Sequence, residues 1–121
     1  MFTAIVLNDA AFGALMRAVH SLGLYTAEGG TPHAHHCTLN LGPAKDKSKL
    51  GSIRKLTVTG YGHTFGRVLA FRVAGAEDSK NKVPHVTVFT FGDAKPKESN
   101  EIREWHDVEP FEIFGEVREV R

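Results

Sequence analysis

Two stretches of this chain alternate polar and apolar residues, and both carry the same triplet: His36-Cys37-Thr38-Leu39 and His85-Val86-Thr87-Val88. A period of two suits a half-buried β-strand and does not suit a helix. In each strand the His and the Thr share one face, while Cys37, Leu39, Val86 and Val88 point to the other. A fold that buries both apolar faces must therefore carry two imidazoles and two hydroxyls on the opposite side of its strands. One such triplet is an ordinary half-buried polar face. Two of them, each preceded by turn-forming residues and flanked by aliphatic residues in matching phase, point to a shared function.

The remaining elements follow from periodicity and punctuation. Residues 2–7 read as a buried strand, and Asn8 or Asp9 caps a helix that runs to about Leu22, with Phe12, Leu15, Met16, Val19 and Leu22 at helical spacing. Gly29-Gly30-Thr31-Pro32 marks a loop into the first triplet, whose strand, residues 37–41, ends at Gly42-Pro43. A basic loop follows with Lys45, Lys47, Lys49, Arg54 and Lys55. The β-rich runs 56–61 and 68–74 flank Gly62-His63-Thr64-Phe65-Gly66 and are expected to pair antiparallel. Pro84 introduces a strand over 85–91, and a loop over 92–97 follows. A short helix begins near Ser99 or Asn100, and the last strand covers 111–120. The pattern is α+β, with one main helix, one short helix and about six strands. A curved antiparallel sheet with the helices on its outside leaves a free face for His36, Thr38 and Asn40 beside His85, Thr87 and Phe89.

A length of 121 residues suits a single domain spanning 1–121. The formal net charge is only +1, which argues against wholesale polyanion binding, but its distribution is uneven. Residues 43–97 carry 11 basic and 4 acidic side chains, and residues 98–121 carry 3 basic and 8 acidic ones. The basic segment encloses the second triplet and suits attraction of a phosphate-bearing substrate, although any single lysine is equally well explained as part of a solvated loop. The lone Cys37 has no intrachain disulfide partner, which fits a reducing, cytoplasmic setting. The apolar run 4–7 is too short for a signal-peptide core or a membrane span, so no membrane partner is expected. The expected state is a monomer.

Two imidazoles facing each other across a cleft serve as general acid and general base, and hydroxyls beside them hold an anionic group. His36 and His85 are thus the candidate catalytic pair, and Thr38 and Thr87 the candidate phosphate binders. Asn40, Lys45, Lys47, Lys49 and Phe89 are candidate substrate contacts. The cluster His33, His35 and His36 beside Cys37 invites a metal reading, because imidazole and thiolate bind zinc or copper. Strand alternation separates His36 from Cys37, and neither a Cys-x-x-Cys nor a His-Glu-x-x-His spacing is present, so no metal site and no cofactor are expected. His20 near the helix end, His63 in a turn and His106 beside Trp105 read as surface residues. Cys37, buried behind the histidines, is not a nucleophile in this reading.

With both triplets placed, the chain resembles the two-histidine (2H) phosphoesterase superfamily, defined by paired His-x-Thr or His-x-Ser motifs on strands. The nearer likeness is to the compact cyclic phosphodiesterase domain of fungal-type tRNA ligases and to related small RNA-repair domains. It rests on His36-Cys37-Thr38-Leu39, on Pro84-His85-Val86-Thr87-Val88, and on Ala94-Lys95-Pro96-Lys97-Glu98-Ser99-Asn100 before a final strand. The resemblance implies a bilobal β-sheet fold with a pseudo-twofold axis through the cleft, and a hydrolase that opens cyclic phosphodiesters without metal. It also implies His36 and His85 as acid and base, with the first protonating the leaving oxygen and the second activating water, and a 2′-phosphate as product. The residues themselves leave that direction open. The expected partners are RNA ends bearing a 2′,3′-cyclic phosphate, or cyclic nucleotides. A hydrolase of small cyclic (oligo)nucleotide signals fits the same chemistry, and a non-catalytic RNA-end or nucleotide-binding module is the alternative of a different class.

Overall fold

Among the described residues, seven strands and one α-helix make up most of the chain. The structure, a computed structural model, describes residues 1–24, 30–64 and 66–121. In chain order the elements are β1 (Phe2–Leu7), α1 (Asp9–Ser21), β2 (Gly30–Pro32), β3 (His36–Leu41), β4 (Ile53–Thr64), β5 (Val68–Ala74), β6 (His85–Phe91) and β7 (Trp105–Val120). Short 3₁₀ turns cover Lys47–Lys49 and Pro96–Glu101. The fold class is α+β. Gly29 of the expected loop and Phe65 of the expected turn lie outside the described residues.

The strands pair antiparallel in the order β6-β3-β1-β7-β4-β5, and β5 pairs in turn with β6, so the sheet closes into a six-stranded barrel. Closure leaves no open edge among those six strands, and the short β2 adds to β6 alone. Asn8 starts α1 with its side-chain oxygen 2.8 Å from the Ala11 N–H. Ala11, Leu15 and Val19 then bury the helix stripe in one core with Ile5, Cys37, Leu39, Phe71, Val86 and Ile113. The expected stripe ends a turn early, because Leu22 is already the C-terminal cap and stands 41 % exposed. β5 is buried on both faces. Leu69, Phe71 and Val73 join the main core, while Val68 and Ala70 join a second cluster with Ala94, Ile102 and Trp105. That double burial accounts for the unbroken apolar run from Val68 to Phe71.

Several boundaries differ from the sequence expectation, each for a physical reason. β4 begins at Ile53 and β7 at Trp105, both earlier than expected, because the two strands pair from Ile53 opposite Glu116 to Gly62 opposite Trp105. The register slips between Val58 opposite Phe111 and Gly60 opposite Asp107, so β7 spends extra residues around Pro110. Proline has no N–H for the ladder, and a bulge lets the strand run through it. The short helix is a 3₁₀ turn that starts at Pro96 rather than Ser99 or Asn100. His63 lies in β4 rather than in a turn, with an exposed side chain.

At Gly115 β7 lies close against β1: an added Cβ would stand 2.7 Å from both Ile5 Cγ2 and the Val6 carbonyl oxygen. Gly115→Ala is expected to lower stability by about 1–3 kcal/mol through overpacking. Gly13→Ala, on α1, meets only the flexible end of Arg17 and is expected to raise stability by about 0.5–1 kcal/mol. Urea midpoints of the two variants, shifted in opposite directions, check both.

Candidate active site

β3 and β6 lie side by side, joined by antiparallel pairing of Cys37 with Val86, both fully buried. In that register His36 lies toward Thr87 and Thr38 toward His85, all four on the face away from α1. The two triplets are thus related by a local twofold through the Cys37–Val86 pair. All four side chains line one cavity of about 400 Å³. Behind them, burial pushes the Cys37 thiol up to about 12, which keeps it protonated and out of nucleophilic chemistry.

The imidazoles are held differently. His85 is 7 % exposed, and its Nδ1 sits 2.8 Å from the Val83 carbonyl oxygen. Only an N–H can face a carbonyl, so Nδ1 carries a proton and Nε2 is the nitrogen left for proton exchange. The His36 ring rests on Phe2, with centroids 4.9 Å apart. Burial lowers the pKa of both histidines below the ordinary 6.5; the charges of His35, His33 and His85 add to the effect at His36, whereas the Val83 carbonyl opposes it at His85.

The hydroxyls differ too. Thr87 Oγ1 stands 2.8 Å from Ser99 Oγ and 3.3 Å from the Pro96 carbonyl oxygen. Thr87 donates to the Pro96 carbonyl, so buried Ser99 is the donor between the two hydroxyls, and Thr87 must turn its proton away from Pro96 to give it to a bound anion. Ser99 belongs to the Pro96–Glu101 turn, which Arg67 anchors through a fork onto Glu98 at 2.6 and 3.1 Å and a further bond to Asp93 at 3.0 Å. Arg67 holds the Glu98 carboxyl down at about 2. On the other strand, the Thr38 carbonyl accepts from Ser79 Oγ at 2.9 Å and the Leu39 carbonyl from the Lys80 N–H at 2.7 Å. These bonds fasten the segment before β6 against β3 and carry Lys80 and Asn81 to the cavity wall.

Of the other candidate contacts, only Asn40 lines this cavity. Its amide donates to the carbonyls of Leu41, Gly42 and Pro43 and so shapes the turn after β3. Lys45 and Lys49 line a smaller neighbouring cavity of about 220 Å³. Lys47 pairs with Glu119 at 2.8 Å, and Lys49 lies 3.8 Å from Asp78. Phe89 packs against the main core and Phe91 instead of facing the cavity. The reason is a register slip, with Thr87 opposite Ala70 but Phe89 opposite Leu69, which resets the alternation at Val88. Cavity residues that sequence reasoning passed over are Lys80, Asn81, Lys97 and Asn100. The segment Lys95-Pro96-Lys97-Glu98-Ser99-Asn100 was the available signal for the last two.

His36 shares its cavity with its neighbours: His33 and His35 line it too. β3 begins only at His36, and Ala34 sits in the left-handed region at φ 59°, so strand alternation does not extend to residues 33–35. His33 Nε2 lies 3.0 Å from Thr90 Oγ1, and His35 stacks on Phe12 at 5.4 Å. Among the described residues, no three His, Cys, Asp or Glu side chains are grouped to hold a metal ion, and no helix is long and apolar enough to cross a membrane.

No family model matches the chain, and no curated protein or solved structure was found to match it.

The lowered pKa values of His33, His36 and His85 make stability pH-dependent. Below about pH 6.5 the unfolded chain binds protons that the native state still refuses, so stability falls as pH drops through that value. Thermal midpoints are expected to hold steady above about pH 7 and decline from there toward pH 5. The double variant His36→Gln, His85→Gln should show a flatter profile over the same window.

Proposed function

We propose that this protein is a two-histidine cyclic phosphodiesterase that opens a 2′,3′-cyclic phosphate to a 2′-phosphate, without metal or other cofactor. One observation carries the reading: two His-x-Thr triplets on paired strands turn both imidazoles and both hydroxyls into one cavity. The local twofold through Cys37 and Val86 supports a bilobal, pseudo-symmetric reading of the barrel.

In the proposed reaction a neutral imidazole takes a proton from water as the water oxygen bonds to phosphorus. The bond from phosphorus to the ribose O3′ breaks in line, and the opposite imidazolium gives its proton to that oxygen. Thr38 and Thr87 donate to the non-bridging oxygens as charge builds on them. His85, with Nδ1–H held by Val83 and Nε2 free, suits the base, and the protonation of the leaving oxygen then falls to His36. Resemblance to the superfamily gives the same direction. Both groups lose protons more readily than ordinary histidines, so the pairing of one charged with one neutral imidazole falls at lower pH than for two exposed histidines.

The proposed substrate class is an RNA end or a nucleotide, and the proposed setting is a cytoplasmic monomer. Lys80 and Lys97 support an anionic ligand, since both line the cavity and neither has an acidic partner within 4 Å among the described residues.

Incubation with a 2′,3′-cyclic nucleotide in EDTA is expected to yield the 2′-phosphate, with kcat/KM passing through a maximum below about pH 6.5. His36→Ala and His85→Ala should each cost on the order of 10²–10⁴ in kcat while circular dichroism stays unchanged. Full activity in either folded variant sinks the scheme. Binding without turnover by the wild-type chain favours a nucleotide-binding module, and activity lost to EDTA but restored by zinc favours a metal enzyme.

A further inference from the structure

Beside the reaction cavity lies another of about 300 Å³, walled by Lys80, Asn81, Lys82, Val83, Asn100 and Trp105 among others. It shares Lys80, Asn81 and Asn100 with the reaction cavity, so the two adjoin. We propose that this second cavity is a nucleobase subsite, with Trp105 as its stacking platform and the Asn81 and Asn100 amides reading the base edge. The catalytic half of the test rests on the phosphodiesterase reading; the binding half does not.

Trp105 is a braced ring. It packs on the cluster of Val68, Ala70, Ala94 and Ile102, and a Cβ at Gly62 would stand 2.9 Å from its Cε3. A glycine at residue 62 is what lets the indole approach β4 this closely. The ring centroid stands 6.4 Å from that of His85, so a base on the indole remains within one nucleoside of the reacting phosphate. A held aromatic plane loses little freedom on binding and stacks with any base.

The polar groups around the ring suit the edge of a base. The Asn81 side-chain amide makes no hydrogen bond among the described residues, and Asn100 uses only its Nδ2, on the Lys97 carbonyl at 3.2 Å. An amide that offers both a donor and an acceptor matches the paired donor and acceptor of a base edge. Among the described residues no carboxylate lines this cavity, and Lys80 and Lys82 give it the positive charge that a nucleotide requires. The opposite rim of the reaction cavity is poorer in these terms. Phe2 there is already occupied by the His36 ring, and Leu41, 85 % exposed, has no aromatic plane.

Two walls are shared with the chemistry. Val83, whose carbonyl holds His85 Nδ1, and Ser99, whose hydroxyl touches Thr87, both line the subsite. A base seated there bears on the segments that position both groups, so nucleotides gain over base-free cyclic phosphates in kcat/KM.

Trp105 is the only tryptophan, so intrinsic fluorescence reports on the subsite directly. Titration with adenosine 2′-monophosphate is expected to quench it saturably, whereas inorganic phosphate and ribose 5-phosphate leave it little changed. Equal responses to all three overturn the proposal, and this arm decides even if the chain turns nothing over. In the catalytic arm, kcat/KM is compared for adenosine 2′,3′-cyclic phosphate and glycerol 1,2-cyclic phosphate. Trp105→Ala should lower the ratio of the two by about 5- to 100-fold, with a smaller fall for Asn81→Ala and recovery in Trp105→Phe. Should Trp105→Ala fail to fold, Asn81→Ala carries the comparison, since its side-chain amide makes no hydrogen bond among the described residues. An unchanged ratio overturns the subsite, as does a ratio moved instead by Phe2→Ala. Hydrolysis of neither compound by the wild-type chain overturns the phosphodiesterase reading and leaves the fluorescence result standing.

Discussion

The pairing of Cys37 with Val86 is the seam on which the rest of this structure depends. It joins segments separated by 48 intervening residues between His36 and His85, and it closes the barrel between β3 and β6. One face of the seam is apolar and fully buried against the α1 core, which fixes the phase of both strands. A slip of one residue on either strand would put an imidazole into the core and an aliphatic side chain into the cavity. Burying a charged or unpaired imidazole is costly, so core packing and the layout of the site enforce each other.

Charge is arranged around this seam by the same topology. The basic segment and the acidic C-terminal segment end as neighbours, because β7 pairs with both β1 and β4. Lys47 meets Glu119 and Lys55 meets Glu112, while Arg54 meets Asp78 within the basic segment itself. Exposed pairs of this kind contribute about 0–1 kcal/mol each, far less than the buried core. Their larger effect is on the field, since they answer the charge of the long basic loop and leave Lys80 and Lys97 uncompensated beside the histidines. The positive field therefore lies nearer to the second triplet than the position of the loop in the chain suggests.

Much of the fold is legible before any coordinates. The strands at residues 2–7, 68–74 and 85–91 and the helix from Asp9 emerge because period, caps and turn residues agree locally. Strand lengths are less legible, since β4 and β7 extend as far as each finds a partner, through Pro110 in one case. Phe89 escapes prediction because a bulge is a property of two strands, not of one. Likewise His33 and His35 join the cavity through the left-handed turn at Ala34, a conformation that an alanine does not announce.

The sequence by itself determined the four central groups. His36, Thr38, His85 and Thr87 share a face because alternation along a strand is a local rule, and the apolar residues between them say which face is buried. Only the tertiary structure decided what surrounds them: the Val83 carbonyl on His85, the Ser99 hydroxyl on Thr87, and the approach of Lys80, Asn81, Lys97 and Asn100. These contacts come from turns, and turns carry no periodic pattern that reveals where they end in space. Trp105 is the clearest case, a residue that no motif in the sequence singles out and that closure of the barrel sets beside His85.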